Sequence, residues 1–361
     1  MSERTCKHCG ANDDVNLSKC GGCLKIRYCS RECQKHDRDR HRPECRVIME
    51  ARKLKRTHHQ LWDAVENENL TTLQHLLTKN EINVNDATCW IAGQTPLYLA
   101  CSYGSTSVVE ILLTAEDIDA NQAETDDGCT PLWIACQNGH APVIELLLAS
   151  SGIDVNQARM DDGCTPLFMS CQNGHASVVE LLLTSSGIDV NQATTDDGAT
   201  PLSMACTEGR APVVELLLAS SGINVNQALT TGSTPLFMSC QNGHASVVEL
   251  LLASSGIDVN QATMDDGCTP LSTACQNGHA PVVELLLASS EIDVNQALTD
   301  DDGSTPLYWA CSERHTHIVE LLLAVSSIDL NKGCQGWSPL RIAQRNNSSE
   351  IVQLLEDAGA Q

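Results

Sequence analysis

The sequence predicts a mainly α fold: a solenoid of about nine short helix pairs behind a small N-terminal head of a different kind. Three observations predict it. A Thr-Pro-Leu triplet begins at Thr95, Thr130, Thr165, Thr200, Thr234, Thr269 and Thr305, with a Ser-Pro-Leu variant at Ser338, so one unit recurs every 33 to 36 residues. A fixed period in this range marks a stacked array. The first 45 residues hold seven of the 19 cysteines and almost no large apolar side chains, and aromatics make up only 3% of the chain.

The head comes first. Between Met1 and Cys45 the sizeable apolar side chains are Met1, Val15, Leu17, Leu24, Ile26 and Tyr28. Burying so few cannot offset an ordering cost of about 1–2 kcal/mol per residue, so something other than a core must fold this segment. Its cysteines fall in pairs: Cys6 with Cys9, Cys20 with Cys23, Cys29 with Cys33, and His41 with Cys45. Donors two or three residues apart reach one ion from a tight turn or a single helical turn, and four thiolate or imidazole donors satisfy tetrahedral zinc. Eight donors make two closed sites with no open position, so two structural zinc ions are expected. At roughly 10–16 kcal/mol per site, they replace the missing core. His8 and His36 stand as competing donors; the spacing of His41 to Cys45 favours His41.

"CKHCG" followed by "CGGCLKIRYCSRECQKHDRDRHRPEC" resembles a MYND-type zinc finger over residues 6–45. The resemblance implies a cross-brace, with Cys6, Cys9, Cys29 and Cys33 on one zinc and Cys20, Cys23, His41 and Cys45 on the other. It also implies a groove for short proline-rich peptides, with Ser30 and Gln34 at groove positions. Arg38 stands where the family usually has tryptophan, which removes an aromatic wall from that groove. Residues 1–45 are therefore read as the finger. Residues 46–60, "RVIMEARKLKRTHHQ", read as a basic helical connector, whose "RKLKR" is either a solvated helix face or a nuclear localisation signal.

The body begins at residue 61. One copy of its unit reads "DDGCTPLWIACQNGHAPVIELLLASSGIDVNQA", residues 126–158. Thr130 caps a helix and Pro131 takes the first helical position, where a missing N–H costs nothing. Leu132, Ala135 and Cys136 make the apolar stripe of a two-turn helix, which Asn138-Gly139 ends through a left-handed glycine. Val143, Leu146 and Leu147 give a second helix its buried face. A single such pair cannot bury its apolar side, but a stack can. These features resemble ankyrin repeats across residues 61–361. "LWDAVENENLTTLQHLL" fits a degenerate N-terminal cap, and "GWSPLRIAQRNNSSEIVQLLEDAGA", with Arg341, Gln344, Arg345 and Asn346, fits a polar C-terminal one. Most copies are about two residues longer than the usual 33, and the excess lies in the linking loops.

Recurrent residues carry the functional expectations. Cys101, Cys136, Cys171, Cys206, Cys240, Cys275 and Cys311 share one place in seven units and read as small core residues. His140, His175, His244 and His279 follow a glycine and are expected to steady the turn by a hydrogen bond. Asp126-Asp127, Asp161-Asp162, Asp196-Asp197, Asp265-Asp266 and Asp300-Asp301-Asp302 precede the first helices. They either complement the helix dipole or, on the concave side that the resemblance implies, form an acidic ladder for a basic partner. Trp90 and Ile91 replace that pair nearest the head, where an exposed Trp would dock the zinc module or grip a ligand. Positions 133–134, 168–169, 203–204, 237–238, 272–273 and 308–309 vary between otherwise near-identical units and read as a recognition surface or as drift.

Charge and length narrow the classes. Residues 1–60 hold 15 Lys and Arg against 8 Asp and Glu, and the remainder 7 against 38 within a net −24. An acidic body argues against sequence-independent binding to phosphate backbones. No apolar run approaches the roughly 20 residues of a membrane span, and "MSERTCKHCG" lacks the apolar stretch of a secretory signal. An intracellular protein, cytoplasmic or nuclear, with reduced thiols is expected. The leading reading is a non-enzymatic adaptor, its solenoid binding one protein and its finger a second partner or peptide. The competing readings are a zinc-module-dependent ubiquitin ligase and a nucleic-acid-binding regulator acting through the basic head.

Overall fold

The computed structural model describes residues 57–78, 82–87, 93–299, 303–334 and 336–361, together with the backbone of two short strands, Ser18–Lys19 and Arg27–Tyr28. The strands pair antiparallel, Ser18 opposite Tyr28 and Lys19 opposite Arg27. All else that is regular among the described residues is helical, in nine pairs. The chain divides into two compact units, Met1–Asp119 and Ala120–Gln361.

The described part of the first unit holds two pairs. Residues 57–66 and Leu70–Leu77 form one, Pro96–Tyr103 and Thr106–Leu112 the other. Residues 57–60, read from sequence as the end of the connector, are helical and continuous with the helix that runs to 66. The first pair lacks Thr-Pro-Leu, and Asn69 supplies its cap instead, its side chain accepting from the Thr72 N–H. Leu61, Trp62, Val65, Leu73 and Leu76 are buried.

The second unit stacks seven pairs: Pro131–Asn138 with Ala141–Ala149, Pro166–Asn173 with Ala176–Leu183, Pro201–Thr207 with Ala211–Leu218, Pro235–Gln241 with Ala245–Leu252, Pro270–Asn277 with Ala280–Leu287, Pro306–Ser312 with Thr316–Leu323, and Pro339–Arg345 with Ser349–Asp357. First helices pack on first helices and second on second, giving two layers. Helices of seven to nine residues are too short to persist alone, so local signals set their ends and stacking holds them. Each first helix in this unit opens on a Thr or Ser side chain that accepts the N3 backbone N–H, as Thr130 does from Trp133 at 3.0 Å, with proline next. Such a cap contributes about 1 kcal/mol.

The core is aliphatic. Leu132, Ala135, Cys136, Val143, Ile144 and Leu147 are wholly buried in the first of these pairs, and their counterparts are buried in the next five pairs; in the last, Gln344 stands exposed in the cysteine position. Full burial of an aliphatic side chain contributes about 1.5–3 kcal/mol. The buried face of the second helix is thus Val143, Ile144 and Leu147, whereas Leu146 is half-buried. That helix packs both on its own partner and on the neighbouring second helices, which widens its apolar face beyond one stripe.

Candidate interaction surface

The loops before the first helices show how each aspartate pair divides its work. The second aspartate closes the loop. Asp162 accepts from the Cys164 N–H at 3.0 Å and pairs with Arg159. Asp197 accepts from Thr194 Oγ1 at 2.6 Å and from the Ala199 N–H at 3.0 Å, and Asp266 accepts from the Cys268 N–H at 3.0 Å. The Arg159 hydrogen bond holds the Asp162 carboxyl well below its usual range, and the Thr194 hydroxyl lowers that of Asp197. These carboxylates serve loop N–H groups, not the helix dipole. The first aspartates, Asp126, Asp161, Asp196 and Asp265, lie exposed beside them. Asp300, Asp301 and Asp302 lie outside the described residues.

Successive loop tips are joined by backbone bonds: Met160 N to Asp127 O, Thr195 N to Asp162 O, Thr230 N to Asp197 O, Met264 N to Thr231 O and Thr299 N to Asp266 O, at 2.8 to 3.0 Å. The result is one edge along the second unit, bearing exposed aspartates and two outstanding apolar side chains. Met160 is 78% exposed and Met264 75%.

The pairs of positions that vary between units lie elsewhere. Trp133, Ile134, Phe168, Met169, Ser203, Phe237, Ser272 and Thr273 are buried, and Met204, Met238, Tyr308 and Trp309 are half-buried. They are packing choices between neighbouring first helices. Trp133 shows the role: its indole N–H donates to Cys164 O in the next unit at 2.9 Å, and the Arg159 guanidinium lies 5.4 Å from its ring centre.

The recurrent cysteines are equally committed. Cys101, Cys136, Cys171, Cys206, Cys240, Cys275 and Cys311 are fully buried. Burial pushes the Cys136 and Cys311 thiols up to about 12 and that of Cys171 well above its ordinary value. A thiol held protonated is neither a nucleophile nor a ligand. One cluster has metal-like spacing: donor atoms of Glu124, Asp127 and Cys129 lie within 4.8 Å of one another. The Glu124 carboxylate, however, accepts the N–H groups of Asp126, Asp127 and Cys129 at 2.7 to 3.1 Å. Burial and Glu124 also push Cys129 up to about 12. This carboxylate closes a turn, doing in its loop what the second aspartate does in others.

Two columns of polar residues bind unit to unit. The histidine bond crosses to the preceding unit instead of steadying its own turn: Nε2 of His175, His244, His279 and His315 lies 3.0 to 3.1 Å from the carbonyls of Gln137, Thr207, Gln241 and Gln276. Arg210 substitutes, its Nε donating to Gln172 O at 3.2 Å. The second column was missed. Asn156 donates to Gly187 O at 2.7 Å and accepts from the Asp189 N–H at 2.9 Å. Asn121, Asn191, Asn226, Asn260 and Asn295 repeat this two-way clamp on the next unit. Within the first unit Asn85 makes it to Asp117 O and Asp119 N. The recurring Val-Asn-Gln was the available signal.

Cys6, Cys9, Cys20, Cys23, Cys29, Cys33, His41 and Cys45, with Trp90 and Ile91, lie outside the described residues. Comparison with known proteins covers the head as well. A family model described as ankyrin repeats (3 copies) matches four segments, residues 61–159, 155–228, 221–298 and 293–361, and a MYND finger model matches residues 6–45. These are the ranges the motifs marked. No curated protein matches significantly. Among solved structures, the ankyrin repeat domain of Bcl-3, titled a unique member of the IkappaB protein family, is 27% identical with a TM-score of 0.56. The match covers 63% of this chain and 98% of that one. Among the described residues no helix is long and apolar enough to cross a membrane.

Proposed function

Because this chain belongs to the ankyrin-repeat family and carries a MYND zinc finger ahead of its repeats, we propose that it works as a non-enzymatic, intracellular adaptor holding two partners at once. Residues 1–45 are the finger and 61–361 the array, and the 46–60 connector runs at its end into the array's first helix. One observation carries the reading of the array. Its recurrent Thr, Cys, His and Asn side chains all serve to fold a unit or bind it to the next. Among the recurrent polar groups left over, those on the loop edge are the exposed tip aspartates Asp126, Asp161, Asp196 and Asp265, while Glu145, Glu180, Glu215, Glu249 and Glu284 lie exposed on the second helices. A row of one charge type, repeated once per unit with Met160 and Met264 among it, fits a basic protein surface.

The head takes a different partner. Seven thiolates and one imidazole are the donor set of tetrahedral zinc. In the proposed cross-brace Cys6, Cys9, Cys29 and Cys33 hold one ion, and Cys20, Cys23, His41 and Cys45 the other. Zinc supplies the rigidity that a core supplies elsewhere. The strand pair Ser18–Lys19 with Arg27–Tyr28 supports this, since its ends are the chain neighbours of Cys20 and Cys29. A groove with Ser30 and Gln34 and without the aromatic wall at Arg38 would take a proline-rich peptide.

Native mass spectrometry of the full chain should find two zinc ions per molecule. Captured protein partners should be lost from a D161K/D196K/D265K variant while peptides bound by the head are retained. A zinc-free yet folded head, or autoubiquitination by the purified chain, would overturn the proposal.

A further inference from the structure

The last helix pair departs from the rest in a way that capping alone does not use. Residues 120–361 contain six Lys and Arg, and four of them fall between 314 and 361. Arg341 and Arg345 are one turn apart on helix Pro339–Arg345, both exposed, and residues so spaced share a face. The Arg345 guanidinium lies 5.3 Å from the ring centre of Trp337, which is itself 41% exposed. Arg341 Nη1 donates to Gly336 O at 3.1 Å. The loop carrying Trp337 is pinned, because Trp337 and Cys334 exchange backbone hydrogen bonds at 2.7 and 3.0 Å.

Among the described residues no carboxylate comes within 4.0 Å of a guanidinium nitrogen of Arg341 or Arg345. The acidic side chains of the last helix, Glu350, Glu356 and Asp357, are not among their partners, and Asp357 instead accepts from Gln353 at 2.9 Å. Two adjacent like charges cost a few tenths of a kcal/mol on a helix. In an otherwise acidic array, counter-ions for them would be easy to place. Arginine and tryptophan are also the residues that most often anchor protein interfaces, and a guanidinium's fork matches a carboxylate.

We propose that Trp337, Arg341 and Arg345 form a second docking site, for an acidic segment of a partner protein that also presents an apolar side chain. The two guanidiniums engage Asp or Glu carboxylates while the apolar group covers the indole. Charge complementarity identifies the occupant: these are cations without a carboxylate partner among the described residues, and a basic ligand would be repelled by them. The site lies at the last pair's loop and first helix, and its partner carries the charge opposite to that of the tip aspartates' partner.

The test uses the full chain with three fluorescein-labelled probes followed by anisotropy. One is a peptide alternating Asp or Glu with Phe and Leu, the second its Lys/Arg counterpart, and the third a single-stranded DNA oligonucleotide. The acidic peptide is expected to bind, weakening with salt, and R341E/R345E should lower its affinity at least tenfold. R341Q/R345Q should lower it less, W337A should also weaken it, and R314Q should leave it within twofold. Circular dichroism melts report whether each variant folds. No binding of the acidic peptide, equal loss in R314Q, or tighter binding of the oligonucleotide would overturn the proposal. So would sedimentation showing that R341E/R345E abolishes self-association, since the occupant would then be a second copy.

Discussion

Gly139 and His175 should be energetically coupled although they belong to different units. Gly139 sits at φ 75°, a left-handed conformation that costs a residue with a Cβ about 1–2 kcal/mol. A Cβ there would also lie 2.8 Å from the His175 ring atoms, closer than such contacts occur. The ring must swing away, taking Nε2 off the Gln137 carbonyl, 3.1 Å distant, and losing a bond of about 0.5–1.5 kcal/mol. Gly139→Ala should therefore destabilise this junction by about 2–3 kcal/mol, and His175→Ala alone by about 1 kcal/mol. Without the imidazole, Gly139→Ala retains only its backbone cost, so the double variant should fall short of the sum by about 1 kcal/mol. Repeat arrays open locally, so the assay is hydrogen-exchange mass spectrometry of peptides spanning 131–183, beside urea melts. Equal cost of Gly139→Ala in both backgrounds would refute the reasoning. Gly209, Gly243 and Gly278 face His244, His279 and His315 at 2.6 Å in the same way.

Three further outcomes are expected. Asn191→Ala removes both bonds of one clamp, to Gly222 O and Asn224 N, and should raise exchange at that junction by about 1–2 kcal/mol while leaving distant units unchanged. Asp162 and Asp197 titrate lower folded than unfolded, so their stabilisation is complete above about pH 4 and fades as pH falls below it. D162N should accordingly lower stability at neutral pH and flatten the acid limb of the melt, and an unchanged acid limb would count against the loop role. Iodoacetamide at pH 8 should leave the seven recurrent core cysteines of the array, Cys101 to Cys311, unmodified, whereas chelation of zinc should expose the seven head cysteines to it. Peptide mapping reads both, and alkylation of Cys136 in the folded chain would contradict its burial.

What was legible in the sequence was local. Thr130-Pro131 and Asn138-Gly139 fix the ends of a helix through groups within four residues, so the period and the helix ends could be read directly. The junctions could not. The His175 and Asn156 bonds span 38 and 31 residues, and only the stack brings those groups together. For the same reason the variation at 133–134 and its counterparts invited a surface reading. Alternation on an isolated helix does not reveal that the next helix covers it, as it covers Trp133. The division of each aspartate pair was hidden as well, because both members look alike until the loop closes on Asp162 or Asp197.

The acidic edge raises the question of how an array with 38 acidic and 7 basic residues beyond position 60 stays folded. Packed helices lie about 8–10 Å apart, so equivalent tip aspartates in successive units stand at about one Debye length at physiological salt. Exposure to water reduces each pairwise repulsion to a fraction of a kcal/mol, and screening removes the terms between units further apart. Repulsion along the edge therefore grows only in proportion to the number of units, while each added junction contributes a full set of buried aliphatic contacts. An approaching cationic surface experiences the opposite balance, because it meets several tips together and their attractions add. Raising sodium chloride from 20 to 500 mM should thus raise the urea midpoint of the array slightly while weakening a basic partner by an order of magnitude or more. D161N/D196N/D265N should remove most of both effects, and a partner whose affinity ignores salt would have to bind somewhere other than this edge.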